Sequence, residues 1–166
     1  MSEINLKGNP VNTSGALPAV GSKAPDFILT KTDLSDVSLK DFAGKNLVIN
    51  IFPSVDTAVC ASSVRRFNQD ITAIADTVCL GVSLDLPFAH KRFCSAEGIE
   101  NVVTTCELRS RKFGEDYGVR MVDGPLAGLL SRAVVVVGKD GNVLYTQQVP
   151  DIVEEPDYEK ALASLK

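Results

Sequence analysis

The sequence predicts an α/β protein: a mixed central sheet with helices on both faces, preceded by a small β-hairpin. Two observations carry this. An apolar run over 47–52 is followed by a helix-period stretch and a second apolar run over 78–84, the order of a right-handed strand–helix–strand unit with parallel pairing. Further on, Ala133-Val134-Val135-Val136-Val137 and Val143-Leu144-Tyr145-Thr146-Gln147-Gln148-Val149 flank Lys139-Asp140-Gly141-Asn142, the pattern of an antiparallel hairpin. The 166 residues, 45% hydrophobic and 23% charged, suit one globular domain over 1–166 with its own core.

Taken in order, residues 3–7 and 11–13 flank Gly8-Asn9-Pro10, which predicts an N-terminal hairpin at about 3–13 with its turn at those three residues. It has too few apolar residues to form a core and should lie over one end of the domain. A loop rich in Gly, Ala, Ser and Pro follows over 15–25. Phe27-Ile28-Leu29-Thr30 and Val37-Ser38-Leu39 predict short strands around a polar turn, and 40–44 a helical turn closed by Gly44. Leu47-Val48-Ile49-Asn50-Ile51-Phe52 predicts a buried strand. Val59, Val64, Phe67, Ile71 and Ile74 recur at helical spacing and predict a helix over about 58–75. The strand over 78–84 places Cys79 in the core. Pro87, at a favoured first-turn position, opens a helix carrying Phe88, Ala89, Phe93 and Cys94 that ends at Gly98. Val102-Val103-Thr104-Thr105-Cys106 predicts a short strand with Cys106 half-exposed at its end. A short helix over 112–117 stops at Gly118, and 120–128 is irregular, with a turn at Asp123-Gly124-Pro125. Asp140-Gly141 should supply the positive φ angles of the hairpin turn, and Pro156 should start a closing helix bearing Tyr158, Ala161, Leu162 and Leu165. This order is that of a thioredoxin-like fold.

Composition narrows the function classes. The net charge is −4 and there is no Lys/Arg run, so nucleic acid is not an expected partner. No apolar run approaches the ~18 residues that span a bilayer. The first residues carry no secretory pattern, so the cytoplasm is the expected compartment. Four cysteines, Cys60, Cys79, Cys94 and Cys106, are few for a stapled scaffold, and none forms Cys-x-x-Cys. His90, the single histidine, completes no common zinc spacing, although a Cys₃His site assembled in space stays open. No cofactor and no metal are expected.

The chemistry concentrates in Pro53-Ser54-Val55-Asp56-Thr57-Ala58-Val59-Cys60, where the buried strand ends and the first long helix begins. Helix N-termini present unpaired N–H groups and partial positive charge. A free cysteine has a pKa of about 8.5, and at such a place beside a cation this falls to about 3.5–7.5, giving a thiolate nucleophile. On its own Cys60 could equally be a small buried hydrophobe. Its company favours reactivity. Pro53 ends the strand because it cannot donate to a ladder. Thr57, within about one helical turn of the sulfur, could cap the helix or hydrogen-bond to thiolate and substrate oxygen.

Pro53, Thr57 and Cys60, spaced Pro-x-x-x-Thr-x-x-Cys after a hydrophobic strand, resemble the active-site loop of the peroxiredoxins. Asp85-Leu86-Pro87-Phe88-Ala89 with Arg92-Phe93-Cys94-Ser95-Ala96-Glu97-Gly98, the hairpin, and Glu155-Pro156-Asp157-Tyr158 resemble the bacterial thiol peroxidases, the atypical two-cysteine subgroup. The resemblance covers nearly the whole chain. It implies a peroxidase reducing hydrogen peroxide and organic hydroperoxides, with Cys60 oxidised to a sulfenic acid. It also implies resolution by Cys94 as an intramolecular disulfide, thioredoxin as reductant, and a homodimer. By spacing alone Cys94 would read as an inert core cysteine and Arg132 as a surface charge. Ser131-Arg132-Ala133-Val134-Val135 resembles the family segment whose arginine contacts the cysteine, so that role is carried to Arg132. Arg65 and Arg66 point away from Cys60 around the helix, at about 100° per residue, and read as a solvated face. Thr57 and the first helical N–H groups would be donors to the peroxide, and Pro53 would shield the sulfur from water. Two cysteines on separate helices are expected to need partial unwinding of both segments, since a disulfide tolerates a Cα separation of about 7 Å at most.

Two other readings use the same residues. A peroxide sensor or relay would oxidise one partner protein through Cys60. A binding module of the same fold would leave all four thiols inert.

Overall fold

The computed structural model describes all 166 residues. The expected N-terminal hairpin pairs Glu3–Leu6 (β1) with Asn9–Asn12 (β2), Ile4 opposite Val11. Its turn is Lys7-Gly8, both at positive φ (52° and 81°), and not Gly8-Asn9-Pro10. Pro10 sits inside β2, tolerated because a two-stranded ribbon is all edge. The turn is held from outside: the Asp151 carboxylate accepts from Lys7 N (3.0 Å) and Gly8 N (2.9 Å). The hairpin therefore belongs structurally to the segment around residue 151, and Ile4 and Val11 pack with Met121 and Ile152.

After Leu29–Lys31 (β3), Asp36–Val37 (β4) and a 3-10 turn over Leu39–Phe42 come Asn46–Ile51 (β5), Ala58–Asp70 (α1) and Thr77–Ser83 (β6). Pro87–Glu97 (α2), Val102–Cys106 (β7), Lys112–Asp116 (α3), Ala133–Val137 (β8), Val143–Gln148 (β9) and Tyr158–Ala163 (α4) complete the chain. Seven strands form one mixed sheet in the order β4-β3-β7-β6-β5-β8-β9. β5, β6 and β7 are parallel, and every other pairing is antiparallel. β5 is an interior strand between β6 and β8, and its apolar residues serve both faces. Leu47, Ile49 and Ile51 join one cluster with Leu80, Val82, Val135, Phe113 and Tyr117. Val48 and Phe52 join the opposite cluster, where α1 contributes Cys60, Val64 and Phe67, α2 Phe93, and α4 Tyr158 and Ala161. Helices thus cover both faces, as expected.

The departures are local. α1 ends at Asp70 and continues as a 3-10 turn over Ile71–Ala73, before Asp76 (φ 53°) reverses the chain into β6. α4 starts at Tyr158, because Asp157 takes the N-cap and accepts from Lys160 N. At the β8–β9 reversal only Gly141 has positive φ (84°). The loop is longer than a two-residue turn: Gly138 N–H bonds Asn142 O and Gly141 N–H bonds Gly138 O, which shifts the register at Val136/Val137. Cys106 is buried, not half-exposed, because β7 is an interior strand with Thr30 of β3 paired to Cys106.

Candidate active site

The ladder from β6 supplies one last bond, Val82 O accepting from Phe52 N (3.1 Å). Pro53 has no N–H to continue it, so the chain leaves the sheet there. It turns through Ser54–Asp56, and α1 begins after Thr57, which is extended (φ −104°, ψ 146°) at the N-cap. The Thr57 hydroxyl makes no cap bond; it donates to Ser54 O (3.0 Å). Cys60 is the third residue of α1 and wholly buried. Ser63 Oγ donates to Cys60 O (2.9 Å) and accepts from Asn50 Nδ2 of β5 (3.2 Å), which fastens the first turn of α1 to the sheet.

Arg132 reaches the same point from the neighbouring strand. In the antiparallel β5–β8 pairing Ile51 lies opposite Ala133, so Arg132 precedes β8 just where β5 gives way to the Pro53 loop. Its guanidinium is almost completely buried. Nη2 donates to Cys60 Sγ (3.2 Å), Nε donates to Ile152 O (2.8 Å), and Nη1 has no protein partner. No carboxylate pairs with this buried cation. Burying a charge is costly unless it is paired, and the polar atom set against Nη2 is the Cys60 sulfur.

A cavity of about 960 Å³ opens beside this pair. Pro53, Thr57 and Arg132 border it, Leu6 and Val11 of the hairpin form one wall, and Leu126 and Leu129 another. The Leu126–Leu129 wall is held from beneath by Arg120, whose Nη1 donates to Gly128 O (3.0 Å) and whose Nη2 pairs with buried Glu107 (2.8 Å).

Cys94 lies apart. It is half-buried on α2, packs against the cluster that contains Cys60, and sets its Sγ 3.4 Å from Thr104 Oγ1 of β7. It borders a different cavity, of about 520 Å³, with Lys31, Lys91 and Glu100. Burial pushes the Cys94 thiol up, opposed by the Thr104 hydroxyl. Burial also raises Cys79 and Cys106. All four thiols are free. Arg65 pairs with Glu97, and Arg66 pairs with Asp70 and lies over the Tyr158 ring, so neither serves Cys60. No group of three or more His, Cys, Asp or Glu is placed to hold a metal, and no helix is long and apolar enough to cross a membrane.

Of the five expected site residues, the fold gathers Pro53, Thr57, Cys60 and Arg132 and leaves Cys94 on the next helix. Sequence reasoning missed Ser54 and Asp85, which hold the loop: Asp85 accepts from Ser54 Oγ (2.7 Å) and Val55 N (2.9 Å). Ser54, three residues before Thr57, carries a turn-forming hydroxyl; nothing local pairs it with Asp85.

Known proteins resemble this chain over nearly its whole length. The redoxin family model matches residues 19–162. The thiol peroxidases of Mycobacterium tuberculosis (strain H37Rv) and Mycobacterium bovis are each 59% identical over 165 residues, 99% of both chains. A peroxiredoxin-like protein from Aquifex aeolicus superposes with a TM-score of 0.93 at 38% identity, covering 99% of this chain and 96% of that one. A thiol peroxidase from Chromobacterium violaceum, with a TM-score of 0.90 at 21% identity over 98% and 95% of the two chains, shares the fold.

Proposed function

The chain belongs to the redoxin family, among the peroxiredoxins and their bacterial thiol peroxidases, and on that premise we propose how it works as a peroxidase. The Cys60 thiolate attacks the nearer oxygen of a hydroperoxide. The S–O bond forms as the O–O bond breaks, and the departing oxygen takes a proton to become water or an alcohol. One observation carries this reading: the buried Arg132 guanidinium donates to Cys60 Sγ at 3.2 Å and has no carboxylate partner. That arrangement sets a cation against the sulfur and leaves Nη1 for the oxygen that gains charge. Thr57 serves as a further donor once its hydroxyl turns from Ser54 O, and Pro53 excludes water from the sulfur.

Cys94 Sγ then attacks the Cys60 sulfenic sulfur, hydroxide leaves and takes up a proton, and an intramolecular disulfide remains. A thioredoxin dithiol reduces it, closing an antioxidant cycle for hydrogen peroxide and organic hydroperoxides. The apolar walls at Leu6, Val11, Leu126 and Leu129 favour organic hydroperoxides as substrates. The same reading makes residues 1–166 a single domain, working as a cytoplasmic homodimer without cofactor. In support of the segment opening it requires, Cys60 is wholly buried, whereas Cys94 borders a separate cavity beside Thr104.

The test is a non-reducing peptide map of the reduced protein after one equivalent of an organic hydroperoxide. A single new Cys60–Cys94 linkage, absent in Cys60→Ser, is the expected result. Four free thiols after exposure would refute the scheme. A linkage from Cys60 to Cys79 or Cys106 would replace the resolving residue.

A further inference from the structure

Asp85 lies between β6 and α2, half-buried, and its carboxylate accepts three hydrogen bonds. Two come from the loop that delivers Cys60: Ser54 Oγ to Oδ1 (2.7 Å) and Val55 N to Oδ2 (2.9 Å). The third comes from Ser83 Oγ at the end of β6 (2.6 Å to Oδ2). A carboxylate only accepts, so the Ser83 proton points at Asp85 and the Ser83 oxygen is free to accept. It accepts from Asp85 N (3.1 Å) and faces His90 Nε2 (3.0 Å), which must then carry the imidazole proton. His90 is fully buried on α2, and its Nδ1 has no partner. Cys94 follows four residues later on that helix, so the two side chains lie one above the other on neighbouring turns.

Cys94 must leave Thr104 to reach Cys60. Melting of α2 around Cys94 pulls His90 from Ser83, and a Ser83 hydroxyl without that donor holds Asp85 less firmly. Asp85 in turn is what holds Ser54 and Val55. Resting on the reading of Cys60 as nucleophile and Cys94 as resolving thiol, we propose that Asp85 is a positioning residue linking the two. Through Ser83 and His90 it ties the Cys60 loop to the Cys94 helix, so that the two segments open as one unit. Opening for disulfide formation is therefore a single coupled event, with no step in which the helix melts while the loop stays closed.

Hydrogen exchange of the reduced full chain tests this without peroxide. In Asp85→Ala the amides of 54–60 and of 88–97 should both exchange at least about tenfold faster, the size expected for losing hydrogen bonds to a charged acceptor. Asp85→Asn keeps a carbonyl for Val55 N and Ser83 Oγ, and should restore both segments to within about threefold of wild type. In Ser83→Ala, which leaves Asp85 on Ser54 and Val55, the rates of the two segments should separate. Faster exchange confined to 54–60 in Asp85→Ala would overturn the proposal, as would matched rates in Ser83→Ala. Equal losses in the Ala and Asn variants would reduce Asp85 to a general structural role and overturn it too. The peptide map judges the peroxidase reading separately: a wild type with four free thiols after hydroperoxide fails there whatever its exchange pattern. Uncoupled exchange in a protein that forms the Cys60–Cys94 linkage defeats only the coupling.

Discussion

Replacing Arg132 by Met should slow the first chemical step by about 10- to 150-fold while leaving the protein folded. Met keeps much of the apolar stem and removes all three guanidinium nitrogens. The bond lost at the sulfur is charge-assisted, buried and 3.2 Å long. Hydrogen bonds to charged groups are worth about 1.5–3 kcal/mol, and each 1.36 kcal/mol is tenfold in rate. If Nη1 also holds the departing oxygen, the loss moves to the upper end, in line with the 10²–10³-fold cost, roughly, of removing one preorganised donor. Stability should not fall in parallel. Ile152 O loses its donor, but a buried cation without a carboxylate is removed as well, and the two effects oppose. Arg132→Lys should lie between, because one ammonium cannot serve both Ile152 O and Cys60 Sγ with the geometry of the fork. The chain contains no Trp, so rapid quenching with a thiol reagent and intact-mass analysis is the suitable assay. The reduced protein is mixed with hydroperoxide and the second-order constant for Cys60 oxidation is read directly. A folded Arg132→Met variant within threefold of wild type would refute the reasoning.

Three further outcomes are expected. Cys94→Ser should consume one equivalent of hydroperoxide and stop at a Cys60 sulfenic acid, a mass gain of about 16 Da, with excess peroxide driving it to about 32 Da; intact mass reads both, and sustained turnover with thioredoxin would count against Cys94 as resolver. His90 gives a pH dependence: burial lowers its pKa from 6.5, against the opposing Asp85 carboxylate, so the unfolded chain takes a proton that the folded one refuses. Its contribution is complete above about 6.5, the unfolded value, and is lost as the pH falls toward the lowered folded value. Urea unfolding at pH 7.5 and 5.5 should therefore show a steeper loss in wild type than in His90→Gln, and equal losses would sink the idea. Finally, Gly118 has φ +67°, and a Cβ there would lie 2.3 Å from Ala16 O. Gly118→Ala should cost at least about 2 kcal/mol, lowering the melting temperature by about 4 °C or more, and an unchanged melting curve would contradict the packing of the 15–25 loop.

What the sequence revealed follows the range of the interactions involved. The strand at β5 and the Pro53–Thr57–Cys60 spacing were legible because each is written in adjacent residues: an apolar run, a residue without N–H, a hydroxyl one turn from a thiol. The outward direction of Arg65 and Arg66 was legible from helical angle alone. Arg132 became visible only through resemblance, since its approach to Cys60 depends on pairing between strands separated by about half of the chain. The same non-locality hid the Glu107–Arg120 pair, the Asp85 tether and the burial of Cys106, which follows from β3 joining β7. The hairpin turn was misplaced for a different reason. Lys7 adopts a positive φ that nothing in its own chemistry favours, supported by a carboxylate 144 positions away.

The valines of β8 have a consequence for how this molecule can misassemble. Val135 and Val137 enter one layer of side chains, and Val134 and Val136 the other. A slip of one residue against β5 exchanges the layers but replaces valine with valine through the middle of the strand. The strand is therefore nearly blind to its own alignment, and what tells right from wrong sits at its ends. At one end stands Arg132, which a slip would carry away from Ile152 O and Cys60 into a layer of hydrocarbon. The group proposed for the chemistry would thus also act as an alignment key, since only the native register keeps its bonds to Ile152 O and Cys60 Sγ. Variants that silence it would keep Cys60 in place and lose one penalty against trapped, mispaired chains.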